Sequence, residues 1–513
     1  MTVNSQKHSN FWSVKLKDET TVCVSPDVKN ITSFVLLEQR DWFESEMDFA
    51  RAFVLPDMHI IDIGANHGVY ALTFSRRLTT GHVWAFEPAA ATGNKLAQSI
   101  LENNVSDRLT LVRAGVSDSS RKAVFYNSSS SELSSLHKEE TVNTISEEEV
   151  ELVSLDDFFE KHSITVPIDF LKLDAEGEEI AVLEGGKKVF SEQSPLVMCE
   201  AKSGSGVFNK ELIVAFERLG YDIYRLLPDI NILVRYNEGY NDPFFLNFFA
   251  CKQDTAKKLS ERGLLALNEE VLIAKRKLES SPFVPTLSDL EAKYADYPYV
   301  KACSRQLGKQ LVSDSMPEHY RSWLFAAQML HDRGLPSAER AALLENIVQQ
   351  ILTTLKPPSI FFALLHVYFL NLYGERSRAV ALSSQLINHL PDDAVPDSLF
   401  IPPKYEHFLK PVINANLALW LKAKHIEYCI KNSTYSIYYN NIENLQYVFP
   451  HINNPDLDIS VLRGILLFSI RSGVKFSIKV DHPILDSSKE VNAAIFKEII
   501  SNSSVVSLVQ QQK

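Results

Sequence analysis

The sequence predicts an α/β fold: a doubly wound, mostly parallel sheet in the first half, followed by a mostly α-helical region. Three observations carry this. His59 to Ile63 is a short, β-branched apolar run, too short for a buried helix and suited to a strand covered on both faces. It passes through a glycine-bracketed turn, Gly64 to Gly68, into an amphipathic stretch, giving the order strand, loop, helix. Further apolar runs follow at 82–86, 109–112, 170–173 and 195–199, whereas beyond residue 255 glycine becomes scarce and apolar residues recur at helical spacing.

The elements follow in chain order. Phe11 to Val24 alternates apolar and polar residues around Lys17-Asp18-Glu19 and reads as a hairpin. Trp42, Phe43, Glu46, Phe49 and Phe53 recur at helical spacing, and Leu55-Pro56-Asp57 ends that helix before the first core strand. Glycines at 64 and 68 let the backbone come close to a ligand at the start of the next helix. The second strand ends in Glu87-Pro88, about 25 residues after Asp62, where nucleotide folds place an acid for the two ribose hydroxyls. A nicotinamide site would carry G-x-G-x-x-G in the first turn, and DIGANHG does not. With no pyrophosphate to seat, a nucleoside with a short tail is the better ligand, and S-adenosylmethionine fits that description.

Leu109 to Val112 is the third strand, followed by Ala114 to Asp118 where an adenine edge would lie. Phe170 to Leu173 ends in DAEGEE, Asp174 to Glu179, and a helical pattern closed by Gly185-Gly186. Pro195 to Cys199 ends at Glu200. With DIGANHGVY (62–70), FEP (86–88) and LDAEGEEIAVLEGG (173–186) in this order, the first half resembles the FkbM family of S-adenosylmethionine-dependent methyltransferases. EQRDWFESE, Glu38 to Glu46, resembles the segment that family places before its first strand and slightly favours it as a wall of the site. The resemblance covers about residues 10–252. It implies a Rossmann-like class I methyltransferase sheet ending in an antiparallel hairpin, Tyr221 to Leu227 and Asn247 to Cys251.

In this reading Asp62, Gly64, Asn66 and Gly68 surround the methionine tail, Glu87 and Pro88 take the ribose, and Asp118 lies near the adenine. Asn66 also suits a helix cap, and Asp62 also suits holding the loop through backbone donors. Methyl transfer from a sulfonium is an in-line displacement, so positioning dominates and a base must take the acceptor's proton. Asp174, Glu176 and Glu200, at adjacent strand ends, are the candidate bases, with Glu178 beside them. Acids at a helix start are also favoured by its dipole, and crowded carboxylates can hold Mg²⁺, although no metal ligand is assigned. His67 reads as a helix-start residue, and Lys172 as a further lining residue.

Asn127 to Glu149 is rich in Ser, Thr and Glu and reads as a solvated loop, with Ser134, Ser135 and His137 nearest the site. Glu151 to Val153 reads as a short edge strand. The expected domains are 1–57, a hairpin and helix packed on the next; 58–252, the methyltransferase domain; 253–300, a helical linker; and 301–513, an α-helical, weakly tetratricopeptide-like domain. In that last domain, 318–333, 337–355, 359–373 and 376–390 carry helical periodicity, parted by Gly and Pro.

The chain has 513 residues and a net charge of -12, which argues against nucleic acid or an anionic membrane as partner. Five widely spaced cysteines without a C-x-x-C pair suit reduced thiols and a cytoplasmic location. The most apolar later run, 360–373, suits a buried helix and not a membrane span. The expected function is O-methyl transfer to a small-molecule or glycan hydroxyl, that acceptor class coming from the resemblance, with a possible protein partner on the helical region. The rival reading is a catalytically degenerate methyltransferase-fold scaffold. An N-methyltransferase would carry a D/N-P-P-Y/F-type motif after the fourth strand, which is absent here.

Overall fold

A hairpin opens the fold because alternation at period two leaves Val14, Val22 and Val24 buried on one face: β1, Trp12–Lys15, pairs antiparallel with β2, Thr21–Val24. The computed structural model describes residues 10–128, 134–137, 144–202, 208–240, 242–280, 285–307, 317–353, 360–390, 402–413, 416–452 and 454–509. Two helices follow the hairpin, α1 (Ile31–Gln39) and α2 (Glu46–Phe53). The helix expected from Trp42 onward therefore starts at Glu46, and Trp42 and Phe43 lie in the turn before it. Helix α1 escaped the periodicity argument because Phe34, Val35, Leu36 and Leu37 are all buried, so the helix shows no polar face there.

The central strands are β3 (His59–Ile63), β4 (His82–Phe86), β5 (Leu109–Val112), β9 (Phe170–Leu173), β10 (Leu196–Glu200) and β13 (Asn247–Cys251). Between them run α3 (Val69–Ser75), α4 (Ala90–Glu102), α5 (Leu155–Lys161), α6 (Glu179–Gly185), α7 (Lys187–Glu192) and α8 (Lys210–Arg218). Their spatial order is β13-β10-β9-β3-β4-β5, parallel throughout except for β13 against β10. The chain enters at the middle, moves outward through β4 and β5, and then returns to the other side of β3 with β9. A crevice therefore opens at the carboxyl ends of β3 and β9, where open α/β sheets bind ligands.

The remaining strands are β6 (Gly115–Val116), β7 (Arg121–Ser128), β8 (Thr144–Val153), β11 (Asp222–Leu227) and β12 (Ile232–Arg235). β7 and β8 correct the expected loop 127–149: its two ends form an antiparallel pair, with β6 parallel to β8. The pair is polar yet two-sided. Phe125, Val150 and Leu152 pack with Ala89, while Glu149 and Glu151 face Lys122 on the outside. The Ser-rich residues 129–133 and 138–143 lie outside the described residues.

Contacts divide the chain into two units that do not follow the expected limits at 252 and 301. The first comprises residues 1–223, 246–255 and 462–513; the second comprises 224–245 and 256–461. The returning segment of the first unit carries a parallel strand pair, β14 (Phe476–Lys479) and β15 (Val506–Val509). Its attachment is polar and buried: Arg463 pairs with Glu490 at 2.7 Å and donates to the Glu38 carbonyl, and Asn492 exchanges two hydrogen bonds with the Lys15 backbone. No sequence-local signal marks partners more than 400 residues apart.

The second unit holds the hairpin β11–β12 and helices that include Asn268–Ser280, Glu318–Met329, Ser337–Thr353, Ile360–Tyr373, Arg376–His389 and Leu417–Ser433. Tyr368 and Phe369 of the apolar run are buried, and no helix among the described residues is long and apolar enough to cross a membrane. Among the described residues, Glu406, His407 and Glu427 bring three potential metal-ligand atoms together. Lys410, Lys424 and Lys431 already surround Glu427, at 3.2, 3.0 and 3.5 Å. Glu427 is thus the buried centre of an ion-pair network.

Candidate active site

The site grows from the neighbouring ends of β3 and β9 in the first unit. β3 supplies Asp62, β9 supplies Lys172, and the turn leaving β9 supplies Asp174 and Glu176. Asp62 is buried; its Oδ2 accepts the Ala71 amide at 3.1 Å, while Oδ1 has no hydrogen-bond partner among the described residues and lies 4.0 Å from the Lys172 ammonium. Lys172 Nζ donates to Asp174 Oδ2 at 2.7 Å and lies 5.4 Å from the Tyr70 ring centre. Burial works against this ammonium, yet Asp174, Asp62 and Glu44 together hold its pKa above the ordinary lysine value. Burial raises Asp62 to about 6, with Lys172 offsetting only part of the shift.

Glu44 comes from the turn before α2, where Tyr70 Oη donates to it at 2.6 Å. Neither residue was singled out from the sequence, although Glu44 lies within the EQRDWFESE segment. Glu176 adopts φ +46°, and neither it nor Glu200 receives a side-chain hydrogen bond among the described residues. Burial, reinforced by the neighbouring Asp174, raises both carboxyls above the usual glutamate range. Opposite Glu200 on β13 stands Asn247, buried, with its Nδ2 unpartnered among the described residues.

The two glycines of the turn also serve the protein's own packing. At Gly64, φ is +73° and an added Cβ would lie 1.8 Å from the Asp174 carbonyl oxygen; at Gly68, φ is +78° and the Cβ would meet Leu96 at 2.2 Å. Both glycines are required by the protein's own packing, which sets the turn against β9 and α4. Asn66 takes φ +49°, and its Oδ1 pairs with His67 Nδ1 at 2.6 Å. Gly68, not Asn66, is the N-cap of α3. Burial lowers His67 to about 3, so the ring is neutral.

Glu87 is buried and engaged on both oxygens. Oε2 accepts the Asn66 amide, and Oε1 accepts the Ala89 amide and the Thr92 hydroxyl, each at 2.8 Å. It thus ties the glycine turn to α4, and Oε2 keeps a lone pair for one further donor. Burial raises its pKa to about 7 from 4.5, the three donors offsetting part of the cost. Between those values the folded chain binds more protons at Glu87 than the unfolded chain does, so its contribution to stability grows as pH falls. The destabilisation by Glu87→Ala, measured as a urea-midpoint shift, should therefore widen by about 2–3 kcal/mol from pH 7.5 to pH 5. A gap independent of pH would exclude this burial effect.

Pro88, partly buried, follows Glu87 and lies beside Gly115. Asp118 sits on an exposed turn, where Ser119 and Arg121 donate to its Oδ1 and hold its pKa below the usual range. Glu178 is taken by the Ser117 hydroxyl and by His137 at 3.0 Å. Glu179 accepts the Ala175 and Gly177 amides and so shapes the turn that carries Glu176. Ser135 donates to the Glu176 carbonyl at 2.8 Å, which joins the Ser-rich segment to the same turn.

A sheet with this strand order, one antiparallel strand next to β10, and acids gathered at the switch point defines the methyltransferase class of α/β domain. Residues 62–223 match the methyltransferase FkbM domain. Methyltransferase 1 of Beauveria bassiana (strain ARSEF 2860) is 26% identical over 189 residues, covering 34% of this chain and 74% of the relative. Among solved structures, methyltransferase FkbM from Methylobacillus flagellatus KT is similar with a TM-score of 0.27 and 15% identity over 39% of this chain; the match spans 47% of that protein. The O-methyltransferase from Bacillus cereus, in complex with SAH, is similar with a TM-score of 0.24 and 13% identity, over 44% of this chain and 82% of that one.

Proposed function

We propose that the protein is an S-adenosylmethionine-dependent O-methyltransferase acting on a hydroxyl of a small-molecule acceptor of sugar or glycan type. The observation that carries the chemistry is the imbalance of charge at the switch point. One buried cation, Lys172, stands among Asp62, Asp174 and Glu44, with Glu176 and Glu200 beside them. A buried crevice lined by carboxylates favours a sulfonium cation, and the same cation favours the ionised form of carboxyls that burial and their neighbours raise above the usual range, which are then the stronger bases.

In this reading the turn through Gly64, Asn66 and Gly68, anchored by Asp62, faces the methionine portion of the cofactor. Glu87 offers Oε2 to the ribose beside Pro88, and Asp118 offers its second oxygen near the adenine. S-adenosylmethionine supplies the electrophilic methyl group; the chain's own residues orient the acceptor and remove its proton. Glu176 is assigned as the base, Asp174 as the group that holds Lys172 and the turn in place, and Glu200 as the neighbouring acid that keeps the Glu176 pKa high. A protein partner on the helical region belongs to the same proposal, as does a cytoplasmic setting.

One observation favours the rival scaffold reading: Glu87 and both turn glycines are already used in internal packing. Calorimetry on the full chain separates the two. S-adenosylmethionine and S-adenosylhomocysteine should bind and NAD should not, and Glu87→Ala should weaken binding by roughly 10–100-fold, the equivalent of a charged hydrogen bond of about 1.5–3 kcal/mol. Absence of binding by the folded chain would leave the scaffold.

A further inference from the structure

The second unit contains a cavity of about 800 Å³ that no residue of the proposed methyl-transfer chemistry lines. Small-molecule sites commonly measure about 300–1,000 Å³. Arg225 of β11 lines it and is only 3% exposed. Its guanidinium lies between two rings, with Cζ 4.3 Å from the centre of Tyr240 and 4.3 Å from that of Tyr373. Nη1 donates to the Tyr373 carbonyl at 2.7 Å, at the end of the helix Ile360–Tyr373. One donor of the fork is thus spent on a helix terminus.

Among the described residues, no carboxylate stands at ion-pair distance from Arg225. Two other cations of the wall differ in this respect: Lys275 pairs with Glu345 at 2.6 Å and Arg378 with Glu375 at 3.3 Å. A buried charge without a counter-charge is costly, and two tyrosine faces offset part of that cost. A guanidinium lining a ligand-sized cavity with donors to spare matches a carboxylate or phosphate in bidentate fashion. Around it, Asn268 and Gln349 provide amide donors and acceptors, and Tyr236 adds a ring with a hydroxyl. These groups suit the hydroxyls and apolar faces of a sugar ring.

We propose that this cavity is a second ligand site, which takes an anionic, hydroxylated small molecule, a sugar bearing a carboxylate or phosphate, with Arg225 as the anchor for the anion. The site is independent of the methyl-transfer reading. Titration calorimetry of the full-length protein with glucose 6-phosphate, glucuronate, glucose and inorganic phosphate tests it, and the first two probes distinguish phosphate from carboxylate as the anion. At least one anionic sugar should bind, with glucose and inorganic phosphate each at least tenfold weaker. Arg225→Lys keeps the charge and loses the fork; it should weaken binding at least tenfold while the unfolding transition remains cooperative. Arg235→Gln, on the exposed part of the wall, should weaken binding about threefold or more and carries the test if Arg225→Lys does not fold. Failure of both anionic sugars to bind, equal binding of glucose or of phosphate alone, or undiminished binding in the folded variants overturns the proposal.

Discussion

Glu176→Gln is expected to lower methyl transfer by about 10²–10⁴-fold while leaving S-adenosylmethionine affinity nearly intact, the usual size of a general-base contribution. The amide is close in shape, so the αL turn held by Glu179 and Ser135 should survive, and only the proton acceptor is lost. Asp174→Asn differs in kind. It loosens the Lys172 ion pair at 2.7 Å, so acceptor affinity and turnover should fall together. Turnover should also resist a chelator, since the Glu176 reading requires no metal. Loss of activity in EDTA with recovery in Mg²⁺ would reassign the carboxylates as ligands, and full activity in Glu176→Gln would remove this residue as the base.

Gly64→Ala should destabilise the fold by about 2–5 kcal/mol, combining left-handed backbone strain with overpacking. The added methyl would sit 1.8 Å from the Asp174 carbonyl oxygen, a main-chain atom that cannot rotate away. Gly220 provides the comparison. Its φ is +82° but nothing lies within 4 Å of the added Cβ, so Gly220→Ala should show the strain alone, about 1–2 kcal/mol. Urea unfolding of the two variants measures the difference, and equal destabilisation would refute the close approach of the glycine turn to β9.

The core strands were legible because each is a short apolar run bounded by turn residues. His59–Ile63, His82–Phe86, Leu109–Val112 and Phe170–Leu173 stand where the pattern placed them. The β7–β8 pair was not legible, because polar residues line one face and the Ser-rich composition imitates a loop. Helix α1 was missed for the opposite reason, its central turn, Phe34 to Leu37, being apolar on every side.

By itself, the sequence determined the order of strand, glycine turn and helix, and with it the delivery of Asp62, Glu87, Asp174, Glu176 and Glu200 to strand ends. Such information is local: side-chain period and glycine positions act over a few residues. Only the tertiary structure decided that Lys172 lies among Asp62, Asp174 and Glu44, that Tyr70 donates to Glu44, and that Glu87 binds the glycine turn as well as α4. It likewise decided that residues 462–513 return to the first unit through Arg463 and Asn492. These contacts join segments distant in the chain, and their partners are chosen by burial and charge compensation, which no local pattern records.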